Sequence, residues 1–255
     1  MQLKGKTIVL TGAQGGIGSC LHRSLLAAGA HVIAVGRRAE AGIEVVDLAD
    51  QQCVSAFIQQ LQRQRVDILI NLAGLMYFGH CADQPLNHLN KMIQVNLTTP
   101  IQLTQGLSPQ MLAHGSGHIV NVGSIFGALA FPHFAVYSAT KAALKSFSEA
   151  IRREYQGKGK DKGIGVSYIA PRAVDTLFNH GVIAELHRRT QTQSDSPEYV
   201  AQQIQLALEQ ERKHLDIGFS ESFFTKINAL APSLIDHALV AKSDIANTLL
   251  EETTS

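Results

Sequence analysis

The chain has 255 residues, a formal charge of +1, 45% hydrophobic residues and three cysteines. This length fits one large α/β domain or two small ones, and the near-neutral charge gives no reason to expect a nucleic acid or an anionic membrane as partner. An odd number of cysteines without a CxxC pair argues against a disulfide framework or a zinc site, so we expect a reducing, cytoplasmic location. A strand that begins near Lys6 leaves no room for a signal peptide, and no uncharged apolar run reaches the ~18 residues of a membrane span.

Short apolar runs alternate with longer helical patterns. The runs are continuous rather than alternating, which is typical of parallel strands covered by helices on both faces. In chain order they are KTIVLTG, AHVIAVG, GIEVVDL, VDILINLAG, GHIVNVGS, GIGVSYIAP and KHLDIGF, with helical patterns at 16–29, 51–64, 86–113, 134–156 and 197–212. This order predicts an α/β fold in a single domain over 1–255, a Rossmann-type doubly wound parallel sheet of about seven strands.

Three segments depart from this alternation of strands and helices. Only RRAEA separates the second and third strands, which is too short for a normal helix and predicts a loop. Residues 172–196 show no clear strand or long helix and follow the end of the sixth strand, where such sheets bind ligands. The stretch GKGKDKG at 157–163 is expected to be a solvated turn.

A glycine-rich turn joins the first strand to the first helix. Its sequence is TGAQGGIG from Thr11 to Gly18, so Gln14 and Ile17 lie within it. Gly12 permits the sharp turn, Gly16 lets the backbone approach a pyrophosphate, and Gly18 lets the helix pack close to the sheet. The helix N-terminus then offers free N–H groups to phosphates, so the turn predicts a dinucleotide site.

The end of the second strand indicates the type of dinucleotide. NAD sites usually place an acid there for the ribose 2′-hydroxyl, but this strand ends in Arg37 and Arg38 with no acid before Glu40. Because a guanidinium binds a phosphate with paired hydrogen bonds, we expect NADP(H) in preference to NAD(H). Asp47 can accept a hydrogen bond from the adenine amino group, with Leu48 against the ring.

The pentapeptide YSATK places Tyr137 and Lys141 four residues apart in a helical run. Residues with this spacing share one helix face, and an ammonium near a phenol favours the phenolate and lowers the phenol's pKa. Tyr137 can then act as an acid in carbonyl reduction and as a base in alcohol oxidation. The alternative is an exposed surface pair without a catalytic role, but none of the other four tyrosines has a lysine four residues later.

Several ordered motifs together resemble those of the short-chain dehydrogenases/reductases. TGAQGGIG resembles TGxxxGxG, NLAG at 71–74 resembles NNAG, and PRAVDT at 171–176 resembles PGxVxT with Arg172 in place of glycine. Tyr137 and Lys141 match YxxxK, and Asn96 and Ser124 match the family's helix asparagine and catalytic serine.

The resemblance implies a site and a set of roles. Ser124 would donate to the substrate oxygen, Lys141 would also hold the nicotinamide ribose, and Asn96 would hold a water that relays protons to Lys141. A backbone group near Val174 would bind the nicotinamide carboxamide with help from Thr176. The remaining residues that the resemblance adds to the cofactor site are Asn71, Ala73, Gly74 and Pro171, together with Tyr137 and Lys141 themselves.

An apolar group surrounds the catalytic positions and predicts a hydrophobic carbonyl or alcohol as the small-molecule substrate. Its members are Phe126, Leu129, Phe131, Phe134, Leu177 and Phe178. The histidines form no metal triad, because Gly115 and Gly117 break the helix that His114 and His118 would need, so we predict no metal.

The C-terminal segment, 219–255, is predicted to be a helical extension. Its apolar residues recur at three and four, which is typical of amphipathic helices. Three roles remain open: a flap over the pocket, a subunit contact, or a membrane contact, the last disfavoured by the few basic residues. The resemblance implies a homodimer or homotetramer. The recurring residues are Phe223, Phe224, Ile227, Leu230, Leu234, Ile235 and Leu239.

Together these patterns predict an NADP(H)-dependent oxidoreductase that interconverts a ketone or aldehyde and an alcohol. Two alternatives remain: an NAD-linked alcohol dehydrogenase of the same fold, and a non-catalytic protein that senses NADP(H).

Overall fold

The computed structural model describes residues 1–156 and 163–254, so the turn predicted at 157–163 lies, except for Gly163, outside the described residues. Seven strands form one parallel sheet, as the sequence predicts. They are β1 (Thr7–Thr11), β2 (His31–Gly36), β3 (Ile43–Val45), β4 (Ile68–Asn71), β5 (His118–Val122), β6 (Gly165–Pro171) and β7 (His214–Ile217).

Helices connect most of these strands. They are α1 (Gly16–Ala27), α2 (Gln51–Leu61), α3 (Leu86–Ile93), α4 (Thr99–Ala113), α5 (Ala135–Glu154), α6 (Val182–Arg189), α7 (Pro197–Glu209), α8 (Phe219–Leu230) and α9 (Pro232–Thr254). The segment between β2 and β3 is a loop, which confirms the prediction for RRAEA.

The strand order is β3-β2-β1-β4-β5-β6-β7. The order reverses between β1 and β4, where Leu10 of β1 pairs with Ala34 on one side and Ile70 on the other. In an open α/β sheet, the crevice beyond the carboxyl ends of the strands at this reversal is where ligands bind. The fold therefore directs attention to the loops that follow β1, β4, β5 and β6.

Two apolar layers cover the sheet. On one face, Leu21 and Leu25 of α1 and Ile204 of α7 pack against alternate strand residues. On the other face, α2, α4 and α5 contribute a second cluster that includes Phe57 and Leu103. Burial on both faces explains why the central strands are apolar throughout: every residue of β4 and β5 is buried.

The long helix predicted over 86–113 is divided. A π-helical turn, Gln94–Thr98, separates α3 from α4. In a regular α-helix the carbonyl of Asn96 would accept from the N–H of residue 100, but Pro100 has no N–H. Such π turns occur frequently at functional sites, and this one places Asn96 beside α5, where it hydrogen-bonds to Thr140.

Two parts of the later chain go beyond the sequence prediction. The segment 172–196, for which the sequence indicates no clear strand or long helix, contains the short helix α6 and the 3₁₀ turn Leu177–Asn179. The C-terminal helices α8 and α9 form as predicted, but Phe223 and Leu230 of α8 are mainly exposed. No helix in the described part of the chain combines the length and the apolar character needed to cross a bilayer.

Candidate active site and nucleotide cleft

A cavity of about 1120 Å³ lies along the carboxyl ends of the strands and extends from the glycine turn to the C-terminal helices. All but two of the predicted site residues line it. The predicted residues that line the cavity are Gly12, Gln14, Gly16, Ile17, Gly18, Arg37, Arg38, Asp47, Leu48, Ala73, Gly74, Ser124, Tyr137, Lys141, Pro171, Val174 and Thr176.

The glycine turn is held in close contact with its neighbours. Gly12 has a φ of +73°, and a Cβ there would lie 2.8 Å from the Cα of Ala73. A Cβ on Gly16 would collide with the side chain of Thr176, and one on Gly18 would collide with the Gly12 carbonyl. Because Gly15 precedes α1 and has no side chain to cap the helix, the first N–H groups of α1 are left for a ligand.

Thr11 fixes this turn against the end of β4, a role that the sequence does not indicate. Its Oγ1 accepts from the N–H groups of Leu72 and Ala73 at 3.0 and 3.2 Å. The hydroxyl donates in turn to the carbonyl of Ile70 at 3.3 Å. The threonine of the TG motif therefore joins two loops of the cleft across the topological reversal.

Gln14 organises the arginine pair. Its Oε1 accepts from the backbone N–H groups of both Arg37 and Arg38 at 3.0 Å. Its Nε2 donates to the Arg38 carbonyl at 3.0 Å and to the carboxylate of Glu40 at 2.9 Å. Gln14 was predicted to touch the cofactor, and the structure adds that it shapes the loop that carries both guanidinium groups.

Asp47 and Leu48 lie at the same end of the cavity. The Oδ1 of Asp47 accepts from the N–H of Ala49 at 2.9 Å, which forms a local turn. Leu48 is buried, and its carbonyl accepts from the hydroxyl of Thr99 at 2.8 Å. One carboxylate oxygen of Asp47 is thus used locally, and the other is available to a ligand.

Ser124 ends the loop after β5 and has its hydroxyl oriented by the backbone. Its Oγ accepts from the N–H of Phe126 at 3.2 Å, at the start of a short 3₁₀ turn. Because that bond uses a lone pair, the hydroxyl proton stays available for donation. The Ser124 hydroxyl is also close enough to the phenol of Tyr137 to act on its pKa, which it lowers.

Tyr137 and Lys141 are both buried on the inner face of α5, not exposed on its surface. The Nζ of Lys141 lies 5.7 Å from the centroid of the Tyr137 ring and donates to the carbonyl of Val122 at 3.1 Å. The ammonium is thus held over the ring face and tied to the end of β5.

The pKa values differ from the sequence expectation. Burial raises the pKa of Tyr137 to about 12, and the hydrogen bond with Ser124 offsets only part of this increase. Burial also lowers the pKa of Lys141 to about 8. Burial, and not Lys141, therefore sets the direction of the shift in the phenol's pKa, because both groups are withdrawn from water.

Asn96 does not itself line the cavity, although its side chain lies near Lys141, with both groups within 4 Å of the Cβ position of Gly74. Its side chain binds the backbone of Leu75 twice, accepting at 2.7 Å and donating at 2.8 Å. The Nδ2 also donates to the hydroxyl of Thr140 at 3.1 Å. These partners use both amide protons and one lone pair of Oδ1, so Asn96 fixes the loop after β4 to α5.

Asn71 is also placed elsewhere, which corrects its prediction as a cofactor ligand. Its side chain is buried within the sheet and donates to Asn121 at 2.8 Å. Asn121 donates onward to Ser148 of α5 at 2.8 Å. The alternation of side chains along β4 directs Asn71 away from the cleft, and only its backbone leads into the turn that carries Ala73 and Gly74.

Arg172, where the family motif has glycine, forms a bidentate ion pair with Asp195. The Nε and Nη2 atoms lie 3.0 and 2.8 Å from the two carboxylate oxygens, and Nη1 donates to Gln193 at 2.9 Å. Asp195 also exchanges backbone hydrogen bonds with Ala173 and Asp175. The arginine thus fastens the segment before α7 to the loop that carries Val174.

Aromatic side chains form the wall beside the phenol. The ring of Phe126 stacks on Phe131 at 5.4 Å and meets the edge of Tyr137 at 6.3 Å. Phe178 approaches Tyr137 from another side at 6.4 Å. All six residues of the predicted apolar group line the cavity.

The cavity has further walls that the sequence did not reveal. The helix α6 contributes Ile183, Leu186 and His187, and α8 and α9 contribute residues including Phe224 and Ile235. The apolar periodicity of the C-terminal helices was visible in the sequence, but the cavity that it faces was not. Of the three roles left open for this extension, the structure directly shows a covering of the pocket.

No cluster of three or more histidine, cysteine, aspartate or glutamate side chains that could hold a metal ion occurs among the residues described. The three cysteines, Cys20, Cys53 and Cys81, are free.

Comparison with known proteins gives the family. A model described as short chain dehydrogenase matches residues 6–186. The chain belongs to the short-chain dehydrogenase/reductase family. This family is one of oxidoreductases, and the fold and the ordered Ser124, Tyr137 and Lys141 agree with that membership.

Relatives of this short-chain dehydrogenase/reductase match nearly its full length. Dehydrogenase/reductase SDR family member 7B of Danio rerio is 29% identical over 272 residues, which cover 94% of this chain and 86% of the relative. The Rattus norvegicus protein of the same name is 31% identical over 271 residues, with 94% and 82% covered.

Solved structures agree with this placement. A short-chain dehydrogenase from Streptomyces avermitilis has a TM-score of 0.78 and 29% identity, covering 95% of this chain and 99% of the other. A protein described as an NAD(P)-dependent gluconate 5-dehydrogenase from Beutenbergia cavernae, solved with bound NADP, has a TM-score of 0.74 and 28% identity, covering 84% and 95%.

Proposed function

We propose that this short-chain dehydrogenase/reductase is an NADP(H)-dependent enzyme that interconverts a carbonyl compound and an alcohol. The observation that carries the proposal is one continuous cavity, lined at one end by the glycine turn and the Arg37–Arg38 loop and farther along by Ser124, Tyr137 and Lys141. A dinucleotide and a small substrate can share such a cleft.

The residues present fit a phosphorylated dinucleotide. The glycine turn presents the uncapped N-terminus of α1 where any Cβ at Gly16 would collide with Thr176. Arg37 and Arg38 line the same cavity, and Gln14 holds their backbone. When bound, the nicotinamide would supply or accept the hydride. The Beutenbergia cavernae structure with NADP supports this choice by analogy.

The catalytic side chains are suited to protonating a carbonyl oxygen. A phenol with a pKa of about 12 is almost entirely protonated at neutral pH, which is the form needed for a proton donor. The hydroxyl of Ser124 is oriented by Phe126 so that it can also donate to the same oxygen. Tyr137 is therefore in the protonation state that carbonyl reduction requires.

An NAD-linked enzyme of the same fold is the closest alternative, and one observation favours it. The carboxylate of Glu40 lies at the arginine loop, 2.9 Å from the Nε2 of Gln14. An acid in this region can accept from a ribose 2′-hydroxyl and would repel a 2′-phosphate.

The first experiment separates the two cofactors. We expect the wild-type protein to favour NADPH over NADH in kcat/KM, and Arg37→Asp to reduce that preference by about 100-fold, the scale of losing charge-assisted bonds to a phosphate. Glu40→Gln is the matched control, because it removes an acid from the same loop and should not weaken NADPH. An unchanged NADPH preference in Arg37→Asp would defeat the assignment.

The second experiment separates an enzyme from a nucleotide sensor. The purified protein is given a panel of ketones and aldehydes with each cofactor. Tyr137→Phe should lose several orders of magnitude in rate, on the order of 10³-fold, with cofactor affinity nearly unchanged. Protein that binds NADPH but turns over no carbonyl compound would support the sensor instead.

A homodimer or homotetramer and a cytoplasmic location complete the proposal. Three free cysteines are compatible with a reducing compartment. Light scattering on the purified protein measures the assembly.

A further inference from the structure

The charges that line the cavity are strongly unequal. Seven basic side chains border it, counting one histidine, while Asp47 is the one acid among the lining residues. The whole chain has a formal charge of only +1, so this accumulation is local. A cleft lined by one sign of charge raises the local concentration of ligands of the opposite sign.

Most of these basic groups already have a partner or an assigned role. Arg37 and Arg38 lie at the adenosine end, and Lys141 belongs to the catalytic set. Arg172 is neutralised by Asp195. The pKa of His187 is lowered by burial, so that this imidazole is neutral at physiological pH.

Lys242 stands apart from this group. It is half-buried on α9, lines the cavity, and forms no ion pair with any residue that the structure describes. Ile235, Ala238, Leu239 and Lys242 recur at three, four and seven residues, so they share one face of α9, and all four line the cavity. This face therefore gives the pocket an apolar wall that ends in an ammonium group.

Lys91 of α3 also lines the cavity, but its side chain is exposed at the rim, where water screens its charge. A half-buried ammonium beside apolar walls interacts more strongly with an anion, because solvent screening is weaker there.

We propose that the substrate is a carbonyl compound with an apolar body and an anionic group, and that Lys242 binds that group. The anionic group has the chemistry of a carboxylate or a phosphate monoester, which share the oxygen acceptors that an ammonium binds. The aromatic wall beside Tyr137 takes the apolar body, and Lys242 sets which end of the substrate faces α9. This inference rests on the proposed carbonyl reduction.

Matched substrate pairs test it. Each pair has one carbon skeleton: a medium-chain keto acid with its methyl ester, and a keto alcohol phosphate with the free keto alcohol. Wild-type kcat/KM with NADPH should favour the anionic member by about 10- to 100-fold, and added salt should reduce the ratio. The pair with the larger ratio distinguishes a carboxylate from a phosphate.

The variants locate the effect. Lys242→Met should bring the anionic-to-neutral ratio close to one, and Lys242→Glu should reverse it. Lys226→Met, at an exposed lysine of α8 that does not line the cavity, should leave the ratio as in wild type. Equal rates for both members of each pair, or a ratio that Lys242→Met does not change, would overturn the proposal.

A binding measurement keeps the test independent of turnover. Decanoate should raise the melting temperature of the wild-type protein more than decanol does, and Lys242→Met should remove the difference. If no carbonyl compound is reduced, the proposed reaction fails and the melting data alone judge the anion site. Equal shifts with decanoate and decanol would reject the site.

Discussion

The buried hydroxyl of Tyr168 lies 3.3 Å from the backbone carbonyl oxygen of Ser124 and accepts from the N–H of the same residue at 3.4 Å. Its proton is shared with the carbonyl of Lys141 at 3.4 Å. One phenol of β6 therefore links the backbones of two residues of the proposed catalytic set. Gly123 and Gly127 leave the space that it fills, because a Cβ at either position would collide with it.

Tyr168→Phe should lower kcat by about 10-fold with little change in substrate KM, because a small displacement of reacting groups costs rate more than binding. The partly buried N–H of Ser124 would be left without this partner, which should also lower the free energy of unfolding by about 1–3 kcal/mol. Steady-state kinetics and urea unfolding measure the two effects.

Tyr155→Phe is the matched control for this prediction. The hydroxyl of Tyr155 donates to Ser108 at 3.1 Å, away from the cleft. Its removal should cost stability by a similar mechanism and leave kcat unchanged. Equal kinetic losses in both variants would show that the effect of Tyr168 is merely structural.

Arg172 and Asp195 lead to a second prediction. Arg172→Lys keeps the positive charge but loses the paired geometry that joins 193–195 to the loop at 173–176. NADPH binding should weaken by about 3- to 10-fold, since a loosened loop must be ordered by the ligand. Cofactor fluorescence titration measures the dissociation constant.

Arg65→Lys controls for the replacement of an ion-paired arginine by lysine. Arg65 binds Asp67 at 2.9 Å, and neither residue lines the cavity. This variant should leave the NADPH dissociation constant unchanged. Unaltered NADPH affinity in Arg172→Lys would mean that the ion pair does not support the cofactor loop.

Much of the fold could be predicted because its signals are local. Continuous apolar runs marked the strands, and the glycine turn marked the start of α1 at Gly16. The role of Asn96 depends on a bond to Leu75, 21 residues away, and so has no local pattern. The orientation of the Asn71 side chain depends on which face of β4 it lies on. Because β4 is buried on both faces, its sequence has no apolar–polar alternation that would distinguish them.

The candidate site likewise combines features with a local sequence signal and features that depend on contacts between distant segments. Ser124, Tyr137 and Lys141 carry chemistry that a spacing can indicate. The pKa of Tyr137 depends instead on burial by Phe126 and other aromatic neighbours that come from separate loops. The α9 wall likewise requires α9 to fold back over the catalytic end of the sheet, and a helical period alone does not indicate its partner.

Gln14 leads to a third prediction. Gln14→Ala removes the hydrogen bonds that hold Arg37 and Arg38, without removing either guanidinium. Affinity for NADPH should fall by about 10-fold and affinity for NADH by much less, because only the first cofactor needs the arginine loop in place. An equal loss for both cofactors, measured by titration, would place Gln14 at the shared pyrophosphate instead.

Lys141 leads to a prediction about stability and pH. Burial lowers its pKa from 10.5 to about 8, so below pH 8 the folded protein holds a buried cation at a cost in free energy. Lys141→Met removes that cost and should raise the free energy of unfolding at neutral pH, on the order of 1–3 kcal/mol after the lost bond to Val122, while abolishing most activity.

The sign of the pH dependence follows from the same shift. Between pH 8 and 10.5 the unfolded chain retains the lysine proton that the folded chain has released, so wild-type stability gains with pH relative to the variant. The advantage of Lys141→Met should therefore shrink across this window. Lys145→Met, on the same helix, should change stability by less than ~0.5 kcal/mol. Urea unfolding from pH 7 to pH 10 measures each difference, and an advantage for Lys141→Met that is constant with pH would contradict a buried cation.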